Sequence, residues 1–259
     1  MKIYIAIPAY GSQVYAEFVS SLLKLTNLFN KNKIEYSVEF MGSESLISRA
    51  RNNFVARFYA ESNYTHLLFL DADLIFNPDC VLKMISENKE LIGSPYPKKK
   101  YNWSKIVSLV KDDEDMELSR GLMTDINYNF SKGEVNVKST CLETKDIPTG
   151  FMLIRRSVIS SLMMNYPERK YKNNIAGFDK AMDNYFYDIF GTGVVNGTYL
   201  SEDYYFCHLC REIGIKPYLE TGFTFGHVGK EVFFGNLAQQ LMHYEGDTMN
   251  MDYKLSVSK

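Results

Sequence analysis

This chain lacks any excess of positive charge: its 259 residues carry 29 Lys and Arg against 31 Asp and Glu, a net charge of −2. No broad basic surface is available to follow a phosphate backbone, which disfavours non-specific nucleic-acid binding and predicts no nucleic-acid partner. No apolar stretch approaches the roughly 20 residues needed to span a bilayer, so no transmembrane segment is expected. The chain runs straight into Lys2-Ile3-Tyr4-Ile5-Ala6-Ile7-Pro8. It shows no cationic start, long apolar core or small-residue cleavage site of a secretion signal. The expectation is a soluble, cytoplasmic protein. Cysteine is sparse, at four residues. Cys207 and Cys210 make one C-x-x-C, but no second pair or nearby histidine pair completes a zinc set. One helical turn apart, they read as reduced core thiols. Tryptophan falls to Trp103 alone, whereas 19 tyrosines and 17 phenylalanines are present. Tyrosine at that level suits polar clefts that stack on flat ligands, although it also fills cores.

With 46% hydrophobic and 23% charged residues, the composition is that of an ordinary folded domain. Ile3 to Ile7 is an apolar run stopped by Pro8, as expected of a buried strand. Val14, Phe18, Leu22, Leu25 and Phe29 share one helical face. Glu35 to Met41 alternates as a strand. Ser45 to Ala60 predicts a helix with Leu46, Ala50, Phe54 and Phe58 inward and Ser45, Ser48, Arg49 and Asn52 on the opposite face. Leu67 to Leu70 is a third strand, a helix follows from about Pro78, and Glu90 to Gly93 is a fourth strand. The order β-α-β-α-β-α-β predicts a mostly parallel central sheet with helices on both faces.

Residues 98 to 146 break the pattern. Lys98-Lys99-Lys100 opens the segment, and the acidic block Asp112-Asp113-Glu114-Asp115 follows. Exposed loops with a hairpin around Val135 to Leu142 are expected here, with the acidic run as solvated surface. Order returns at Pro148-Thr149-Gly150 before the apolar Phe151 to Ile154. Ser201-Glu202-Asp203 opens an amphipathic helix closed by Gly214. A last strand near Thr224-Phe225 delivers Gly226-His227-Val228-Gly229. No repeat or linker divides the chain, so residues 1–259 read as one domain, with 98–146 irregular and 243–259 a tail.

The apolar run His66-Leu67-Leu68-Phe69-Leu70 ends in Asp71-Ala72-Asp73. A polar turn with a helix cap would explain one such acid. Two carboxylates beside a core carry a desolvation and repulsion cost that a hard divalent cation removes. Ligands of open α/β sheets sit beyond the carboxyl ends of the strands. Pro8-Ala9-Tyr10, Gly42-Ser43-Glu44, Asp71-Ala72-Asp73 and Ser94-Pro95-Tyr96 all fall at such ends.

These features resemble the nucleotide-sugar glycosyltransferases of the A-type fold (GT-A). Four motifs carry the resemblance: Ile5-Ala6-Ile7-Pro8-Ala9-Tyr10, the Asp71-Ala72-Asp73 triplet (a D-x-D motif), Glu202-Asp203 at a helix start, and His227 late in the chain. Arg49-Ala50-Arg51-Asn52 before a Leu-Asp-Ala-Asp strand is also similar, locally, to fungal Golgi polymannosyltransferases. The resemblance implies a single Rossmann-like GT-A domain. It implies Mn²⁺ (or Mg²⁺) held by Asp73 and His227, with Asp71 on the ribose or a metal-bound water. A divalent ion there neutralises the departing diphosphate. Asp203 would be the catalytic carboxylate towards the acceptor and Glu202 a positioning group, although acids in a first helical turn are also stabilised by the helix dipole alone. Pro8, Ala9, Tyr10 and Ala72 would line the nucleotide site, with Arg49 and Asn52 facing the same crevice. Arg51 is open between an ion pair and ligand contact. Lys98 would reach a phosphate, and Thr149 and Gly150 the donor sugar.

The resulting expectation is an enzyme, a hexosyltransferase moving sugar from a UDP- or GDP-linked donor to a hydroxyl of a glycan or glycoconjugate. Inversion and retention remain open. A sugar-1-phosphate nucleotidyltransferase is the rival enzyme, but it needs a glycine-rich, arginine-bearing first loop that Pro8-Ala9-Tyr10-Gly11 does not supply. A catalytically silent nucleotide-sugar or glycan-binding module is the rival outside enzymes.

Overall fold

The computed structural model describes residues 1–42, 44–111, 118–130, 133–136, 139–174, 178–243 and 253–256. In chain order the strands are β1 (Lys2–Pro8), β2 (Glu35–Met41), β3 (His66–Leu70), β4 (Leu74–Ile75), β5 (Leu91–Gly93), β6 (Pro97–Tyr101), β7 (Thr124–Ile126) and β8 (Gly133–Asn136). They continue as β9 (Cys141–Glu143), β10 (Phe151–Arg155), β11 (Gly193–Val195), β12 (Thr198–Leu200), β13 (Pro217–Glu220), β14 (Phe225–Val228), β15 (Val232–Gly235) and β16 (Tyr253–Ser256). The α-helices are α1 (Ala16–Lys31), α2 (Ile47–Ala60), α3 (Asp79–Ser86), α4 (Trp103–Lys111), α5 (Arg156–Asn165), α6 (Glu202–Glu212) and α7 (Leu237–His243).

Alternation along the central strands sends side chains to two separate cores. Ile3, Ile5, Ile7, Leu68 and Leu70 pack with Phe18, Leu22, Leu25 and Phe29 of α1 and Val81 and Met84 of α3. Tyr4, Ala6, Leu67 and Phe69 face the other way, onto Phe54, Val55 and Phe58 of α2, Val158 and Leu162 of α5 and Phe206 of α6. Both faces are therefore apolar, which is why β1 and β3 are continuous hydrophobic runs. The sheet has seven strands in the order β2-β1-β3-β10-β5-β13-β9. Strands β2, β1, β3, β5 and β13 point one way, and β10 and β9 run against their neighbours. It is a Rossmann-like, mostly parallel α/β architecture.

A smaller three-stranded sheet, β15-β14-β4, forms beyond the end of β3. It matters because β4 begins one residue after Asp73 and pairs with β14, His227 opposite Leu74.

The 98–146 segment is more ordered than its sequence suggests. Strand β6 pairs antiparallel with β7, and Leu109, Leu122 and Met123 form a small core of their own. Among the described residues, the flanks of the expected hairpin around Val135 to Leu142 pair with other strands. Strand β9 pairs with β13, and β8 pairs with β16; residues 137 and 138 lie outside the described residues, as do the acidic block 112–115 and most of the 243–259 tail. Helices α1 and α2 begin later than expected, leaving Val14 and Leu46 exposed ahead of them. Cys207 and Cys210 are buried free thiols, as read.

Candidate functional site

A cleft of about 500 Å³ opens over the ends of β1 and β3. Pro8, Ala9 and Tyr10 line it from one side, Asp71, Ala72 and Asp73 form its floor, and Arg51 and Glu202 close the back. The loop after β1 is tied down on the triplet, since Tyr15 N donates to the Ala72 carbonyl at 3.2 Å. Tyr10 stands on the rim, 75% exposed, where a ring is free to cover a planar ligand.

Asp71 and Asp73 belong to different charge networks. The Arg51 guanidinium, nearly all buried, donates from NH2 to Asp71 Oδ1 at 3.2 Å and from Nε to Glu202 Oε1 at 3.4 Å. It lies 5.2 Å over the Phe69 ring. Burial works against its charge, but Asp71 and Glu202 outweigh burial and raise its pKa further. Its NH1 atom is buried with no partner. Asp71 is fixed at its backbone too, its N–H donating to the Gly150 carbonyl at 2.8 Å. Gly150 is required there, because a Cβ would stand 2.3 Å from Asp71 Oδ2 and 2.4 Å from the Tyr96 hydroxyl.

On the other side of Ala72, Asp73 Oδ2 accepts from Lys99 Nζ at 2.6 Å and lies 3.4 Å from His227 Nε2. His227 Nδ1 is 2.8 Å from the Pro97 carbonyl. A carbonyl only accepts, so Nδ1 carries a proton, and Nε2 is the ring nitrogen turned towards Asp73. The edge of Tyr96 packs on this imidazole, with centroids 5.3 Å apart and planes at 84°. Burial raises the Asp73 carboxyl, yet His227 and Lys99 outweigh it and the net direction is down. Its Oδ1 is buried and unbonded. Burial first, and then the Asp71 charge, push the Tyr96 phenol well up, so it stays a neutral donor.

Among the described residues no group of three or more His, Cys, Asp or Glu side chains is placed to hold a metal ion. A two-residue hold does fit. The oxygen and imidazole donors of Asp73 and His227 face each other across 3.4 Å, and Asp73 Oδ1 is buried without a partner. Small hard cations bind through one or two carboxylates, with phosphate oxygens and water filling the other positions.

Several expected residues are placed elsewhere. Arg49 turns away from the cleft floor and grips Glu44 in a fork, at 2.7 and 2.9 Å; this pairing holds the Glu44 carboxyl below its usual value. Asn52 is a buried structural amide. It donates to Asp188 at 2.9 Å and accepts from Phe190 N at 2.9 Å. Arg49 and Asn52 line a second cavity of about 320 Å³ with Tyr171 and Asp188. Of the lysines on β6 it is Lys99, not Lys98, that meets the triplet. Thr149 is buried with its Oγ1 unpartnered. Of the two helix-start acids, Glu202 lines the cleft while Asp203 does not. Asp203 Oδ1 accepts from Ser201 Oγ and from Tyr204 N. Glu44, from one of the four strand ends, also lines the cleft; Gln13, Tyr15 and Ile47 do so too and were not foreseen. Gln13 and Tyr15 follow the Pro8-Ala9-Tyr10 turn closely enough for the strand-end rule to have included them.

No protein-family model matches the chain, and no curated protein matches it by sequence. Among solved structures it is similar to A197 from STIV, at 15% identity and a TM-score of 0.48, covering 91% of this chain and 95% of that one. It is also similar to S. aureus TarS 1–349, at 12% identity and a TM-score of 0.35, covering 95% of this chain and 63% of that one. Likenesses this distant carry no chemistry across, so the function is argued from the cleft. Among the described residues no helix is long and apolar enough to cross a membrane.

Proposed function

We propose that the protein is a glycosyltransferase, taking a sugar from a nucleoside-diphosphate donor to an acceptor hydroxyl with the help of a divalent cation. One observation carries this reading: the strand-end cleft ends in a carboxylate, Asp73, with a buried and unpaired oxygen beside an imidazole nitrogen. Pro8, Ala9 and Tyr10 are the nucleotide wall and Asp71 faces the ribose. Asp73 and His227 would hold Mn²⁺ or Mg²⁺, which when bound supplies charge neutralisation for the departing diphosphate.

The chain's own residues account for the remaining steps. On an inverting course the acceptor oxygen bonds to the anomeric carbon while the bond from that carbon to the phosphate oxygen breaks. The hydroxyl proton passes to a carboxylate, and the nucleoside diphosphate leaves with the bonding pair. Asp203 stands beside the cleft-lining Glu202 rather than in the cleft wall, and it is assigned as that base for an acceptor approaching from outside, both of its hydrogen bonds falling on Oδ1. Glu202 is already bound to Arg51 and acts as a positioning group.

The test is a screen of UDP- and GDP-sugars for Mn²⁺-dependent release of free nucleoside diphosphate. Release with at least one donor is expected. Pyrophosphate release would instead indicate a nucleotidyltransferase, and binding without turnover a silent module.

A further inference from the structure

Strand β6 reaches the candidate site twice within three residues. The Pro97 carbonyl fixes the His227 ring, and the Lys99 ammonium sits on Asp73 Oδ2. The next residue, Lys100, turns elsewhere and pairs with Asp125 at 3.3 Å. The lysine stem lies against Gly229, where a Cβ would stand 3.2 Å from Lys99 Cδ. Its contact is therefore shaped by the backbone on both sides.

We propose that Lys99 is a resident counter-cation of Asp73, which a divalent ion must displace in order to bind. The proposal rests on the functional reading above and adds how access to its cation site is controlled. A metal at Asp73 and an ammonium on the same carboxylate would stand within a few ångströms of each other, and their repulsion makes the two occupants exclusive. Lysine suits an exchangeable role. It is a point charge on a flexible stem, without the planar fork that would lock an arginine to a carboxylate. The Lys99 side chain is 38% exposed, so its ammonium has a route into water when it leaves. While Lys99 is seated, Asp73 has a cation partner without any metal.

The test is a Mn²⁺ titration of the intact protein without nucleotide, following the loss of the free-ion electron paramagnetic resonance signal. Lys99→Met should bind Mn²⁺ about tenfold or more tighter than the wild type, since a competing charge is gone. Lys99→Gln, a second neutral variant, should do the same, and Lys99→Arg should stay at or below wild-type affinity. Lys99→Met combined with Asp73→Asn should lose the gain. Equal or weaker binding in both neutral variants, no saturable binding in them at millimolar Mn²⁺, or a gain that survives Asp73→Asn would overturn the proposal. A tightening of Mn²⁺ without nucleoside diphosphate release from any donor would sink the transferase reading and leave the Lys99 assignment standing.

Discussion

The two sides of Ala72 hold charge in opposite ways. On the Asp71 side, a buried arginine lies between two carboxylates and over an aromatic ring, and the backbone of Asp71 is pinned to Gly150. The Arg51 NH1 atom is left buried there without a partner. On the Asp73 side, a partly exposed lysine and an imidazole share one carboxylate oxygen, while the other oxygen has no partner. One side behaves as a frame and the other as a socket. Two aspartates separated by a single alanine can thus have different roles because different elements reach them: α2 and α6 for Asp71, β6 and β14 for Asp73.

Mutations on the two sides should therefore fail in different assays. The largest effect is expected from Asp73→Ala, with donor hydrolysis falling by a factor on the order of 10²–10³. The fold should stay cooperative, within about 1 kcal/mol of wild type, because the lost carboxylate had an unsatisfied buried oxygen. Steady-state kinetics and a urea melt check the two halves of this statement, and an unchanged rate would remove Asp73 from the reaction. Arg51→Met should do the reverse, costing about 3 kcal/mol or more of stability by leaving Asp71 and Glu202 without their cation. A urea midpoint equal to wild type would show that the frame is not structural.

A smaller effect separates the two ends of β3. At the end away from the cleft, burial above all, with the Arg155 charge adding to it, lowers the His66 pKa from 6.5 to about 4. The folded chain thus prefers this ring neutral, and the unfolded chain takes up its proton first as acid is added. His66's contribution is fully present above pH 6.5 and is lost as the pH falls from there towards about 4. Acid titration of His66→Asn should give a shallower loss of stability across that window, with donor hydrolysis at neutral pH unchanged. An identical slope in the two proteins would discount the buried ring.

Much of this arrangement was visible in the chain. Ile3 to Ile7, Phe18 to Phe29 and Leu67 to Leu70 announced themselves by period, because each buries one or both faces against a core. The triplet was legible because acids directly after an apolar strand need a reason to be there. Arg51 was harder. Helical spacing put Arg49 and Asn52 on the polar face and Arg51 near the apolar edge, and only the packing of Phe69, Asp71 and Glu202 around that edge makes it the arginine of the cleft. Lys99 was hidden by its neighbours, since of three consecutive lysines the sequence pointed to Lys98, and β6 pairs with a strand more than twenty residues away. The two-residue β4 is too short to leave any periodic trace.

That short strand has a consequence of its own. Val228 N donates to the Asp73 carbonyl at 2.8 Å, and His227 stands opposite Leu74 in the same ladder. The separation of Asp73 and His227 is therefore counted in whole residues. Because side chains alternate along a strand, a slip of one position would turn His227 to the opposite face. A single-residue insertion or deletion near either partner would act through parity: odd shifts turn the imidazole away from Asp73, whereas even shifts keep its facing and change its neighbour.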